Sequence, residues 1–245
     1  MIPDVLTVAM KEWKEYLLAG SNLKGGRFGL LIMLAVFGVL LPAQNGIQWA
    51  TSPMLLIVWS WVPLMLVAGV VADSFAGERE RHTLETLLAS RLSDEAILAG
   101  KVVAAVGYGW GFALVMAVVS LMSVNLIHWQ GHVVFYPLTT AVGVPLFSLL
   151  TSLLAASAGV LVSLRAPTAR QAAQMLSISV MLILFVPMFG FQALPADLKA
   201  SIAAAVMKVN PLVVAGGLVV LLAVADVVLL MLSVLRFRRA RLILD

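Results

Sequence analysis

Long apolar runs alternate with short polar stretches along this chain, and no run shows the two-residue alternation of a half-buried strand. Six runs approach the ~20 residues a helix needs to cross the ~30 Å hydrocarbon core of a bilayer. They are Phe28–Leu41, Pro53–Ala72, Val102–Leu126, Leu138–Leu164, Ala172–Phe191 and Pro211–Leu235. Backbone polar groups in lipid must be satisfied within their own segment, so these spans are helices. The first run is short and is expected to extend back through Gly25 and Gly26 or forward toward Ile47. Before it, Leu6, Met10, Trp13 and Leu17 recur at helical spacing, with Lys11, Glu12, Lys14 and Glu15 mostly off that stripe. That pattern predicts an amphipathic helix lying in the membrane interface. Between spans five and six, residues 192–210 predict a short re-entrant or surface helix. Pro195 opens it, Asp197 favours its positive end, and Asn210-Pro211 ends it.

Composition agrees: 62% of residues are hydrophobic and 11% are charged. The chain is read as one all-α integral membrane domain over residues 1–245, with no large soluble part. The net charge of +4 belongs to topology rather than to nucleic acid. Fourteen of the sixteen Lys and Arg residues fall on one side of the spans, and only Lys199 and Lys208 fall on the other. The positive-inside rule then places both termini in the cytoplasm, with Trp49 and Trp129 near the outer interface. The charged N-terminus is unlike a cleaved signal peptide. The absence of cysteine excludes disulfides and thiolate chemistry.

One stretch, Asp73 to Lys101, holds ten of the twenty-eight charged residues and is predicted to be a structured cytoplasmic loop. Asp73 marks the exit of span two, and Gly77-Glu78 opens a charged turn. Leu84, Leu87 and Leu88 share a face at i, i+3 and i+4, which predicts a short amphipathic helix ending at Arg91-Leu92. Ser93 is an N-cap candidate with Asp94 and Glu95 in the first turn, and that helix should run through Lys101 into span three.

The string GERERHTLETLLASRLSDEAILAGK resembles the signature loop of ABC-2-type transporter permease subunits, approximately GERE-x-GTLE-x-LL-x-x-P-x-S-x-x-x-I-x-x-GK. Weaker likeness extends to Lys11–Glu15, to Leu164–Gln174 and to Arg236–Leu244. His82 stands where the pattern has Gly, and Arg91 where Pro is frequent. The resemblance implies a loop that docks into a cytoplasmic ABC ATPase through Gly77, Glu78, Arg79, Glu80, Arg81, Thr83, Leu84, Glu85, Leu87 and Leu88. Arg165 and Arg170 are candidates for a second contact, although membrane topology alone would also explain them. The resemblance also implies a second permease subunit, identical or related, in a prokaryotic inner membrane, with ATP and Mg on the ATPase and no cofactor on this chain. Consistent with that division, no G-x-x-x-x-G-K-[ST] phosphate loop occurs. Gly107, Gly109 and Gly111 read as close-packing positions in span three.

Asp226 lies near the middle of span six, where a carboxyl should face protein or water, either on a translocation path or in packing. His128 and His132 are too sparse a pair for a metal site. Two alternatives remain at this stage: a membrane scaffold or immunity protein that recruits a partner through the loop, and an ion-driven carrier using Asp226. The aliphatic walls favour an amphipathic cargo.

Overall fold

The computed structural model describes residues 1–22, 24–52, 54–83, 87, 89–208 and 210–237, and among them every regular element is helical. The elements are α1 (Ile2–Asn22), α2 (Lys24–Met33), a π-helical segment (Leu34–Leu40), α3 (Leu41–Asn45) and α4 (Ile47–Thr51). They continue with α5 (Met54–Glu80), α6 (Asp94–Ile127), α7 (Leu138–Ser163), α8 (Ala169–Ala193), α9 (Ala196–Lys208) and α10 (Pro211–Arg236). Among the described residues, six helical stretches are long and apolar enough to cross a membrane. The chain is a multi-pass membrane protein.

The first span extends forward from its apolar run, over Phe28–Asn45 through the π segment to α3, while its helix begins at Lys24, and Gly46 (φ 56°) breaks it. π-winding frees backbone groups, and Ser123 Oγ of α6 donates to the Gly38 carbonyl at 2.8 Å. At the break, the His128 ring lies against Gly46, with Nε2 2.7 Å from the Ala43 carbonyl. His128 therefore holds a turn.

At the centre, α5 packs against α6 and α7, while α1 lies on α6, α8 on α5 and α10 on α7. Val67, Val71 and Phe75 of α5 meet Ile97, Val102 and Ala105 of α6 and Ala156 and Val160 of α7. A second cluster gathers Leu55, Trp59 and Val62 with Met116 and Val144 toward the other end. The α5–α8 seam is built of alanine: Ala68, Ala72 and Ala76 against Ala172, with Leu176 beside them. Small residues allow this closeness, because lipid offers no hydrophobic contrast to drive helices together. Gly109 backs onto Val67, Gly107 lies under the Trp13 ring, and Gly111 faces open space.

Two expectations are corrected, and a third falls mostly outside the described residues. Span two does not leave its helix at Asp73: α5 continues through Gly77 and Glu78 to Glu80, and the turn falls at Arg81-His82. Glu78, Arg79 and Glu80 have partners on neighbouring helices and Asp73 pairs with Arg81, so the helix need not end to satisfy them. On α1, Glu12 is not on an outer polar face but is 2% exposed, beside buried Val8 and Ala9. The stripe Leu6, Met10 and Trp13 is the exposed one. Of the short loop helix, Leu84, Glu85 and Leu88 lie outside the described residues, and Ala89–Leu92 form turns and bends. The capped helix is as expected: Ser93 Oγ accepts from the Ala96 amide at 3.2 Å. Asn210 likewise caps α10, accepting from the Leu212 amide at 2.9 Å.

Candidate functional site

The last two turns of α5 gather most of the chemistry. Ser163 Oγ, at the end of α7, donates to the Ala72 carbonyl and accepts from the Ala76 amide, at 3.1 and 2.9 Å. The hydroxyl thus stands between the two ends of an i, i−4 pair in α5, where an inserted group bends a helix. Gly77 follows, with the Asp73 carboxyl and the Arg81 guanidinium lying over the place a Cβ would take, so a larger residue there would displace those two side chains. Arg81 grips Asp73 with both guanidinium nitrogens, at 3.3 and 3.2 Å, across two helical turns.

Glu78 turns inward. Its Oε1 lies 3.0 Å from Lys101 Nζ of α6 and 3.0 Å from Lys11 Nζ of α1. Lys101 also reaches Glu12 Oε1 of α1 at 2.8 Å and the Ser74 carbonyl at 2.9 Å, and it lies 5.2 Å from the Phe75 ring centroid. Lys11 adds Glu12 at 3.3 Å and Glu15 at 3.1 Å. The side chains of Lys101, Glu12 and Glu78 are 1%, 3% and 6% exposed, so these three form a buried core that joins α1, α5 and α6, with Lys11 at its half-exposed edge. Two lysines balance Glu12 and Glu78, as buried charge requires. Burial alone would pull the Lys11 ammonium down. The Glu78 hydrogen bond and the charges of Glu12 and Glu78 outweigh it, so Lys11 titrates above its usual range. The close approach of α1 depends on Gly100, where a Cβ would stand 2.5 Å from Val8 Cβ. Trp13 Nε1 adds a bond to the Ala104 carbonyl at 2.9 Å.

The next two residues reach the opposite side. Arg79 donates to the Leu164 and Ala166 carbonyls at 2.9 and 3.2 Å, satisfying the C-terminal end of α7. Glu80 Oε2 accepts from the Ala169 amide at 3.2 Å, at the start of α8, where Thr168 is the N-cap. Thr83 closes α5 by donating its amide and hydroxyl to the Glu78 carbonyl, at 2.9 and 3.2 Å. His82 carries φ 56°, a left-handed conformation natural to glycine, at the position where the signature pattern has Gly.

The sequence-derived set therefore divides. Gly77 and Glu78 are buried and Arg79 is half-buried with internal partners, while Glu80 and Arg81 stand exposed. Leu87 is half-buried on the core formed by Val71, Ile97 and their neighbours. Arg165 and Arg170 are exposed on the segment that Arg79 and Glu80 hold. Asp226 lies apart, 2% exposed within α10. Sequence reasoning missed Lys11, Glu12, Lys101 and Ser163 as partners of the loop. The available signal was a lysine beside a glycine in an otherwise apolar helix start, AILAGKVVAA.

The ABC-2 type transporter family matches residues 3–222. No curated protein matches the chain. The matched region covers all but the ends of the chain, which therefore belongs to the ABC-2 type transporter family as a permease component of an ABC transporter.

Proposed function

We propose that this ABC-2 type family member is the permease subunit of an ATP-driven exporter, coupled through the loop 73–101 to a separate cytoplasmic ABC ATPase. Two such subunits, identical or related, would line the path in a prokaryotic inner membrane, with both termini and the loop in the cytoplasm. ATP and Mg would sit on the ATPase. An amphipathic cargo suits the aliphatic spans.

The observation that carries this proposal is that Glu78, Arg79 and Glu80 tie one helix end to α1, α6, α7 and α8. A displacement applied just beyond them acts on five helices at once. Glu80, Arg81 and the following turn supply the outward contact, with Arg165 and Arg170 beside them. Glu78 and Arg79 serve inside.

The test reverses Glu80 and Arg81 (Glu80→Lys, Arg81→Glu) in the permease purified with its ATPase and placed in liposomes. Membrane insertion is expected to persist while ATP hydrolysis no longer drives transport. Coupling that survives both reversals removes the assignment. An ATPase that binds the wild type without transport under any cargo indicates the scaffold instead.

A further inference from the structure

Asp226 takes a core position in the seam between α10 and α7. Along α10 the covered positions include Ala215, Val219, Leu222, Asp226, Leu230 and Ser233, with Phe237 just past its end, the spacing of one helix face that Ala223, Ala225 and Leu229 flank. That face meets α7, as Ser233 Oγ donating to the Ser157 carbonyl at 3.2 Å demonstrates. At 1.5 Å per residue Asp226 lies about 15 Å from Arg236, near mid-membrane. Every other charged residue of the six spans lies within about two turns of a helix end.

Neither Asp226 oxygen has a hydrogen-bond partner among the described residues. The helix it faces cannot supply one by charge: α7 has no charged or titratable side chain from Leu138 to Ser163. Nor do its hydroxyls turn to Asp226. Ser148, Thr151, Ser152 and Ser157 donate to the carbonyls of Val144, Phe147, Ser148 and Leu153 in their own helix. A buried carboxyl without partners is costly and demands compensation, all the more within lipid.

We infer that Asp226 is an intramembrane binding site for one positive charge, delivered as a proton or as the cationic group of the transported molecule. The site is closed in this conformation. Ser233 and the edge contact of Phe237 with Phe75 anchor the Arg236 end of α10, whereas the Leu212–Leu221 half is largely exposed. Swinging that free half away from α7 opens the carboxyl to its ligand.

The permease by itself tests this. Dicyclohexylcarbodiimide adds to carboxyl groups in apolar surroundings, and mass spectrometry locates the adduct. Wild-type protein is expected to label at Asp226. If a cationic cargo is the source, the lipophilic cation tetraphenylphosphonium slows labelling by about tenfold or more, the scale of one charge-assisted contact. If the proton is the source, labelling falls as pH rises and the lipophilic cation does nothing. Absent labelling, or labelling that neither treatment changes, overturns the inference. In liposomes with the ATPase, Asp226→Asn is expected to lose transport about tenfold while Asp226→Glu retains it. A chain that labels as stated but never couples to an ATPase sinks the exporter assignment and keeps the site.

Discussion

Lys101 is the residue on which the loop end of the bundle depends. Its ammonium is 1% exposed and answers two carboxylates from different helices. Removing one member of a buried ionic set leaves uncompensated charge, which costs about 3–5 kcal/mol, whereas removing the whole set costs far less. Lys101→Met is therefore expected to lower thermal stability in detergent sharply. The triple variant Lys101→Met, Glu12→Gln, Glu78→Gln should recover most of the loss. Equal instability of both variants would mean that volume, not charge, matters here. His82 shows the same dependence on surroundings from the other direction. Its left-handed backbone costs about 1–2 kcal/mol relative to glycine, and the Thr83 and Arg81 bonds on either side hold it there.

Between elements, the deciding contact is α1 against α6. The polar cluster requires the two helices to approach closely, and Gly100 is the position that permits it. A side chain there overpacks against Val8, an error that costs about 1–3 kcal/mol in well-packed sites. Gly100→Val should detach α1 selectively. Amide exchange is expected to rise along Ile2–Asn22 while α7 and α10 stay protected. Uniform destabilisation would show instead that α1 and the bundle form one cooperative unit. The lower ends of α7 and α8 are held differently, by Arg79 on carbonyls and Glu80 on an amide. Those bonds complement the negative and positive ends of the two helix dipoles.

For the whole molecule, the exposed turn after α5 is where an outside force would enter. Arg91 is exposed in the turn before Ser93. Trypsin should cut there in the isolated permease, and the bound ATPase should protect it. Unchanged cleavage in the complex would place the docking surface elsewhere. The outer faces of α8 and α10 are almost wholly apolar and exposed, as expected of helices in contact with lipid or with a second subunit.

Much of this was legible from residue order, because lipid leaves a chain few choices. Twenty-residue apolar runs must be helices, and Ser93 and Asn210 cap them through atoms two or three residues away. The turn after α5 was misplaced because isolated charges look like an exit from the helix, and only their partners explain why the helix continues. Those partners are remote: Glu12 and Lys101 are 89 positions apart, and Lys11 and Glu78 are 67. Nor does periodicity tell which side of a span packs, since the lipid-facing and protein-facing sides are equally apolar. The sequence by itself determined the spans, their caps and the family motif, all of which rest on local chemistry. Tertiary structure decided that Glu78 and Arg79 point inward, that Glu12 is buried, and that Asp226 stands without a partner among the described residues, because burial and pairing are set by helices distant in sequence.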